Sequence, residues 1–549
     1  MSKPGSRHHS VSVTNPLRKH VMILLSWVGL WLKNTLTRLW GAVPGVKRPI
    51  ASPGITNTGS CKADPEWKTN EALRTYRAGG GGETTVTVRT SSCEFHVDLG
   101  RLCECSEYFR ALSRSRMRET SESLIHLEHV SSSAFHNLLE FSFLDQFNVP
   151  QEELGTHIQV SSYLLAEAFL ARCLSVLADK LSPGSCLSYL NLAREIGCLE
   201  LKMTVFTYLS RNLLELPHLV TCLNNAEKDK VVQLRNLGDK RLCSLRKENL
   251  TSWNDPETER ARHMFSLKES EDSGDWHAVA ELPFSADKWC FTAVVLHNYL
   301  YIIGGHRQPV KRGWEFKMAS FRYNPFTHSW FPTAPLIKRR RHFSAVACEG
   351  CIYAVGGWYL DSLVTPDSNT ALYTAVECYD PWEDTWRFVS SLPLIDFTVS
   401  LSHDVPLATS QGHFLYVLGS IQRTGEKLLL RYNTTRDSWC ELLPTLTRAD
   451  ADLPALYFLG ATDRLHVIGG NNSENVVTSF CLQSQKWGQV HTAEKVGFAG
   501  QGTVAGKQVF MPSIEHNSVA RMDLQTLSLR VLPPLPISTR YEAVFYLHF

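Results

Sequence analysis

The chain has 549 residues, of which 43% are hydrophobic and 20% are charged, which is ordinary for globular proteins and excludes a wholly disordered chain. Its net charge of +2 is unevenly distributed: residues 1–82 hold 12 Lys and Arg against three acidic residues, and the remaining chain holds 44 basic and 51 acidic residues. This distribution argues against a nucleic-acid-binding protein, and the length predicts about three or four domains. The fifteen cysteines lack a paired CxxC set and predict buried, reduced thiols in a reducing compartment, with no metal site.

Residues 1–82 are predicted to form a basic and mostly disordered N-terminal extension with an apolar segment at residues 21–40. The run VMILLSWVGLWL (Val21–Leu32) is shorter than the about 20 apolar residues that a membrane-spanning helix needs. Three interpretations stay open: peripheral membrane contact through an interfacial helix, a targeting segment, and an extension without function. The glycines of Gly79–Gly82 separate this segment from the next domain.

Residues 83–181 alternate short strands with helices. Apolar spacing predicts strands and helices, in chain order, at Thr85–Arg89, Glu94–Val97, Ser106–Ser113, Leu124–Leu127, Phe135–Phe143 and Gln151–Leu181. A preceding helix is predicted over Glu66–Arg77. The string CSEYFRALSRSRMRET (Cys105–Thr120), followed by IHLEHVSSSAFHNLLEF (Ile125–Phe141), resembles the BTB (POZ) domain and implies a homodimer. Thr84-Thr85 and Asp98-Leu99 replace charged pairs of that family, which argues against a transcriptional-repressor role.

Within the BTB-like segment, Met117-Arg118-Glu119 matches the hydrophobic-x-Glu motif with which some BTB proteins contact cullin-3. In that interpretation Met117 fills a shallow pocket and the Glu119 carboxylate fixes the register. In the alternative interpretation Met117 packs in the core of its own domain and Glu119 is solvated. The resemblance implies cullin-3 as a partner.

Residues 182–250 are predicted to be helical. The stretch LSPGSCLSYLNLAREIGCLELKMTVFTYLSRNLLEL (Leu181–Leu216) resembles the start of a BACK domain, and Leu190, Leu201 and Leu209 lie on its predicted core face. A short mixed-charge helix over Ala226–Glu248 is predicted to follow. Because BACK domains are longer, this region is interpreted as a truncated one.

Residues 260–549 contain a repeat with a period near 50 residues. An apolar strand ends in two glycines or Gly-Ser, a second strand ends in a turn, and a tryptophan follows. The strands that end in glycine are YIIGG (Tyr301–Gly305), YAVGG (Tyr353–Gly357), YVLGS (Tyr416–Ser420) and HVIGG (His466–Gly470). The tryptophans are Trp276, Trp330, Trp386, Trp439 and Trp487. This period predicts the blades of a propeller, with each tryptophan filling the wedge between blades.

These repeats resemble the Kelch family. A fifth, degenerate unit lies at GKQVFMP (Gly506–Pro512), where Leu529 takes the tryptophan position. We predict that His263–Leu267 and Asp275–Leu282 form the outer strands of a further blade whose inner strand is Thr539–Phe549. The predicted fold is therefore a BTB domain, a short helical BACK segment and an all-β propeller of six blades, closed by both ends of its sequence.

Loops at one end of a Kelch propeller bind target proteins, and the resemblance carries this role to two sets of positions. The first set follows the glycines: His306, Arg307, Trp358, Tyr359, Arg423, Asn471 and Asn472. The second set leads into a blade: Arg340, Arg341, Arg448, Arg540 and Tyr541. Several arginines beside aromatic rings suit an acidic or phosphorylated peptide. For any one arginine, the alternative is a solvated loop or a hydrogen bond between blades.

The resemblance implies a cytoplasmic, non-enzymatic adaptor that presents a target protein to a cullin-3 ubiquitin ligase. The alternative is a dimeric scaffold for cytoskeletal or membrane-associated partners. No GxSxG, GxxxxGK[ST] or HExxH motif occurs in the sequence, so neither catalysis nor a cofactor is expected.

Overall fold

The computed structural model describes residues 73–76, 85–115, 123–247, 262–268, 274–284, 291–307, 315–316, 318–340, 343–357, 374–393, 407–420, 426–446, 455–470, 474–536 and 542–549. All of them belong to one compact unit, Ala72–Phe549. Of the predicted N-terminal extension, residues 1–82, only residues 73–76 are described, and the segment at residues 21–40 lies outside the described residues.

The first domain is built around a four-stranded sheet. Its strands, in the order β1-β3-β2-β4, are β1 (Leu73–Tyr76), β3 (Glu94–Asp98), β2 (Thr85–Arg89) and β4 (Leu124–His126). Its helices are α1 (Leu99–Cys105), α2 (Glu107–Arg114), α3 (Ser132–Leu144), α4 (Leu154–Tyr163) and α5 (Glu167–Lys180). Strands β2 and β3 bury every second side chain, as expected for strands with one face on a core. The predicted α/β domain is confirmed.

Two predictions for this domain were wrong in detail. Leu73–Tyr76, assigned to a helix, is a strand parallel to β3, because main-chain pairing at the sheet edge outweighs weak local helix signals. The helical stretch Gln151–Leu181 is a short 3-10 turn followed by α4 and α5. It breaks at Leu165, whose φ of 51° is left-handed and stops a right-handed helix.

Four helices form the next region: α6 (Pro183–Ile196), α7 (Leu199–Arg211), α8 (Pro217–Val220) and α9 (Asn225–Leu234). Glu227 ties three of them together, since it accepts hydrogen bonds from Lys202 Nζ and Arg194 Nη2, both at 2.7 Å. Burial alone would raise the pKa of Glu227, but these bonds and one from the Asn224 backbone outweigh it and lower the pKa to about 2.

The predicted boundary after the helical region requires a correction. The helix expected over Ala226–Glu248 ends at Leu234, and Lys240–Arg246 is a strand, β5. Its sequence KRLCSLR buries four consecutive residues because it pairs on both sides within a sheet. The propeller therefore begins at Lys240 and not at residue 260.

The described residues of the C-terminal part form six blades, each built on four strands in order. The strands of each blade are given from the innermost to the outermost. Blade 1 consists of β31 (Glu542–His548), β5, β6 (His263–Lys268) and β7 (His277–Glu281), and blade 2 of β8 (Thr292–Leu296), β9 (Tyr299–Ile303), β12 (Ser320–Asn324) and β13 (Ser329–Thr333). Blade 3 consists of β14 (Ser344–Cys348), β15 (Cys351–Val355), β16 (Val376–Asp380) and β17 (Thr385–Val389). A separate two-stranded sheet, β10 (His306–Arg307) and β11 (Glu315–Phe316), extends from blade 2. The predicted propeller of six blades is confirmed.

Blades 4 to 6 repeat the pattern with one irregularity. Blade 4 consists of β18 (Leu407–Gln411), β19 (Phe414–Ser420), β20 (Lys427–Asn433) and β21 (Ser438–Leu446). Blade 5 consists of β22 (Ala455–Ala461), β23 (Arg464–Gly470), β24 (Asn475–Cys481) and β25 (Lys486–Trp487). Blade 6 consists of β27 (Thr503–Ala505), β28 (Gln508–Ser513), β29 (Ser518–Asp523) and β30 (Leu529–Val531). In blade 5 a second short strand, β26 (His491–Ala493), also pairs with β24, so the outer edge is in two pieces.

Both ends of the propeller sequence close the ring in blade 1. The innermost strands are neighbours in the order β31, β8, β14, β18, β22 and β27, and β27 contacts β31 again. Strand β31 pairs with β5 along its full length, from Glu542 opposite Arg246 to His548 opposite Lys240. The predicted closure is confirmed, and β5 is the strand that the sequence interpretation missed. Closure leaves the inner strands without open edges.

The tryptophans join neighbouring blades as predicted. At five junctions the indole Nε1–H donates to a backbone carbonyl of the preceding blade at 2.8–3.0 Å, and we call this bond the tryptophan clasp. The pairs are Trp276 with Pro533, Trp330 with Glu281, Trp386 with Ala334, Trp439 with Ser390 and Trp487 with Pro444. In blade 6 Leu529 takes the tryptophan position, so this bond is missing there.

In blades 2 and 3 the paired glycines follow the second strand, where the chain leaves the sheet, whereas Gly469 and Gly470 of blade 5 lie within β23. Gly304 and Gly305 have φ angles of 66° and 104°, and Gly356 and Gly357 repeat them with 65° and 98°. These left-handed angles favour glycine.

The thirteen cysteines in the described ranges are all free thiols.

Candidate functional site

An exposed aromatic surface lies where α2 and the end of α4 meet. The Tyr108 and Tyr163 ring centres are 5.6 Å apart, and His129 contacts the Tyr163 ring edge-on at 4.7 Å. Tyr163 and Leu165 are each 45% exposed. We call Tyr108, His129, Tyr163 and Leu165 the Tyr163 surface. An apolar surface of this kind, with histidine and tyrosine at its edge, suits a protein partner.

Ser106 shapes this surface. Its hydroxyl accepts the Phe109 N–H at 3.4 Å, which caps α2, and donates to the Leu164 carbonyl at 2.5 Å, which holds the end of α4 against α2. Tyr163 and Leu165 fall within Gln151–Leu181, the stretch that apolar spacing predicted to be helical. This prediction missed their exposure because the left-handed turn at Leu165 redirects the chain.

The predicted cullin-contacting residues Met117, Arg118 and Glu119 lie outside the described residues. Helix α2 leads directly into them, since it ends at Arg114. Their role stays a prediction.

The propeller has two rims with different surroundings. The helix-facing rim carries the turn between β8 and β9, where Asn298 contacts the helical region. The corresponding turns of blades 3 and 4 lie on the same side, because Gly350 adjoins His297 and Cys348 Sγ donates to the Gly412 carbonyl. Second strands therefore run towards the opposite rim, and innermost strands run back from it.

Two of the predicted target-contacting positions are described at the end of a strand that meets the opposite rim. His306 and Arg307 follow the second strand of blade 2 and form β10. Apart from Arg340, the remaining predicted positions lie outside the described residues: Arg341, Trp358, Tyr359, Arg423, Arg448, Asn471, Asn472, Arg540 and Tyr541. Their side-chain contacts stay predictions.

The prediction for Arg340 requires a correction. Its side chain is fully buried, and its guanidinium forms an ion pair with the equally buried Glu377. It also donates to the carbonyls of Gly356 at 2.8 Å and Ala375 at 2.9 Å. Because every one of these partners belongs to blade 3, Arg340 holds the loop that leads into that blade and does not face a partner.

Among the described residues, no three His, Cys, Asp or Glu side chains are grouped in a way that could hold a metal ion. In the same part of the chain, no helix has the length and apolar character needed to cross a membrane.

Two family models match the chain. The BTB/POZ domain model matches residues 80–181, which contain β2 to α5, and the Kelch motif model matches residues 339–393, which contain blade 3. The chain is 31% identical over 268 residues to Kelch domain-containing protein 7A of Mus musculus, covering 48% of this chain and 30% of that protein. It is 27% identical over 368 residues to Kelch repeat and BTB domain-containing protein 13 of Homo sapiens, covering 65% and 71% respectively.

A third relative, Kelch repeat and BTB domain-containing protein 2 of Homo sapiens, is 24% identical over 393 residues, covering 56% of this chain and 62% of that protein. The matches thus span between 30% and 71% of the length of these relatives. Together, the fold and the comparisons show a BTB domain and a helical region that precede a Kelch propeller. The chain thus combines a BTB domain with Kelch repeats, the two features for which the second and third of these relatives are named.

Proposed function

We propose that this chain is the target-recognition adaptor of a cullin-3 RING ubiquitin ligase. The BTB domain dimerises and binds cullin-3, and the propeller binds one target protein per subunit. The ligase transfers ubiquitin, and this chain supplies proximity between target and ligase. Dimerisation adds avidity towards targets with several binding sites.

The observation that carries the proposal is the presence of two separate candidate interaction surfaces in one compact unit. The Tyr163 surface lies on the BTB domain and includes Tyr108 of α2, the helix that ends at Arg114, three residues before Met117 in the sequence. The helical region contacts the helix-facing rim of the propeller, so the opposite rim is left for a target. One adaptor can thus hold two proteins at once.

Cullin binding is tested by co-purification of cullin-3 with the full chain. Met117→Asp and Tyr163→Asp each place a charge where the proposal requires apolar contact, so we expect at least a tenfold loss of retained cullin-3. Leu199→Asp is the matched control, because Leu199 is 70% exposed but lies on the helical region. If the wild type retains no cullin-3, or Met117→Asp retains as much, the ligase proposal fails and the dimeric scaffold replaces it.

The target arm uses proximity labelling from the same full-length proteins. Arg341→Glu combined with Arg448→Glu reverses charge on the opposite rim, and we expect a specific set of neighbours to disappear. Arg436→Glu is the control, because Arg436 is exposed in a turn on the helix-facing rim. Loss of the same neighbours from the control would contradict target binding at the opposite rim.

A further inference from the structure

A buried arginine joins the helical region to blade 2. Arg235 follows α9 and is fully buried. Its Nε donates to the His297 carbonyl at 2.7 Å, its Nη2 to the Asn298 carbonyl at 3.2 Å, and its Nη1 to the Ser210 carbonyl of α7. The guanidinium carbon lies 3.8 Å from the centre of the Tyr299 ring. A planar group with donors in fixed directions thus holds two domains in one relative position.

A second layer of polar contacts surrounds Arg235. The Tyr299 hydroxyl donates to Glu215 Oε2 at 2.6 Å and accepts the Leu214 N–H at 3.1 Å. Burial, followed by the charge of Arg235, lowers the pKa of His297 to about 4, so this imidazole is neutral at pH 7 and adds no repulsion. The interface between the domains is therefore built from complementary polar groups.

Asn298 connects this interface to the closure of the ring. Its φ of 55° places it in a left-handed turn. Its Nδ2 donates to the Arg235 carbonyl at 3.1 Å and to the His548 carbonyl at 2.7 Å, and its Oδ1 accepts the His548 N–H at 2.8 Å. The Asn298 side chain thus contacts both Arg235, where the chain leaves the helical region, and β31, the innermost strand of blade 1.

The chain itself makes the same connection. Strand β5 begins at Lys240, shortly after Arg235, and pairs with β31 along its full length. Movement of the helical region away from blade 2 would pull directly on the pair of strands that closes the ring.

We propose that Arg235 and Asn298 form an interdomain lock that couples docking of the helical region to closure of the propeller ring. When the lock opens, both the interface and the β5–β31 pair are released, while the blades on the far side keep their structure. This inference goes beyond the proposed function and does not depend on cullin or target binding.

The test is amide hydrogen exchange on the full-length protein carrying Asn298→Gly. Glycine keeps the left-handed turn and removes only the side-chain amide. We expect exchange at least tenfold faster in β5, in β31 and in α7 to α9, with unchanged exchange in blades 3 to 5. Asn517→Gly is the matched control, because Asn517 also has a left-handed φ, 49°, but lies in blade 6.

A second variant, Arg235→Met, removes the hydrogen bonds while keeping apolar contact with Tyr299. It should accelerate exchange in the same segments as Asn298→Gly. Faster exchange in β31 alone would show that closure is independent of docking. A uniform increase in every blade, or no increase in either variant, would equally overturn the coupling.

Discussion

Arg340 and Glu377 form an ion pair in which neither side chain is exposed to solvent. The Glu377 carboxylate also accepts the N–H groups of Ile337 at 2.7 Å and Lys338 at 3.2 Å. Two buried charges are tolerated because each has several hydrogen-bond partners. The pair therefore fixes the path of the chain between blades 2 and 3.

Arg340→Met is expected to lower the free energy of unfolding by about 3–5 kcal/mol, because it leaves the Glu377 carboxylate buried without its cation. Chemical denaturation of the full chain measures this loss. Arg339→Met is the control, since Arg339 is exposed and its replacement should cost less than about 0.5 kcal/mol. Equal effects of the two substitutions would contradict a structural role specific to Arg340.

The run Lys338-Arg339-Arg340-Arg341 shows the limit of prediction at this scale. A basic run in a loop indicates a surface, and Lys338 and Arg339 are indeed exposed. Arg340 turns inwards because a glutamate on β16 meets it, 37 residues later in the chain. Such a pairing depends on the register of strands, which the local pattern of the loop does not contain.

At the scale of the element, the tryptophan clasp attaches the outer strand of one blade to the backbone of the preceding blade. The Trp386 indole binds the Ala334 carbonyl, and Asp384 Oδ1 accepts the N–H of the same residue at 2.9 Å. Trp439 and Asp437 repeat this arrangement on Ser390. A single residue of the preceding blade is thus held through both of its backbone groups, which fixes the spacing between blades.

Trp386→Phe should lower the free energy of unfolding by about 1–2 kcal/mol, because it keeps an aromatic ring but removes the clasp. Trp382→Phe is the control, because it also replaces an indole with a phenyl ring in blade 3, and the Trp382 indole N–H has no hydrogen-bond partner among the described residues. The free energy of unfolding should therefore fall less in Trp382→Phe than in Trp386→Phe. Denaturant titration of both variants compares them, and a larger loss for Trp382→Phe would refute the energetic role of the clasp.

The elements that the sequence predicted well are those with a repeated or alternating pattern. The recurring Gly-Gly ends and tryptophans indicated the blades because each repeat adds evidence for the others. Strand β5 was missed because it stands alone after a helix and lacks the glycines, and its partners are β6 and the distant β31. Leu73–Tyr76 was missed for a similar reason, since its strand pairs at the edge of a sheet.

At the scale of the whole molecule, the ring is closed by strands that come from the two ends of the propeller sequence. The number of blades could be predicted from the repeat, and closure followed from the need to cover strand edges. The contact between the helical region and blade 2 could not be predicted, because Arg235 and Asn298 belong to no motif. Their role depends on three segments that meet only in the folded chain.

Gly238, which lies between α9 and β5, allows the chain to pass close to the residue that follows β31, Phe549. The backbone of Asp239 exchanges two hydrogen bonds with Phe549, each at 3.0 Å. A Cβ atom at position 238 would lie well inside van der Waals distance of the Phe549 carbonyl oxygen, so the end of β31 would have to move away. Both hydrogen bonds would then weaken.

Gly238→Ala is therefore expected to lower the free energy of unfolding by about 1–3 kcal/mol, the loss of two backbone hydrogen bonds. Gly184→Ala is the opposite control: a Cβ atom there meets nothing within 4 Å, and alanine favours the helix α6, so stability should rise by up to about 1 kcal/mol. Chemical denaturation, with hydrogen exchange of residues 542–548, measures both effects. If Gly238→Ala were as stable as the wild type with β31 equally protected, the close approach of the chain at this point would not contribute to closing the ring.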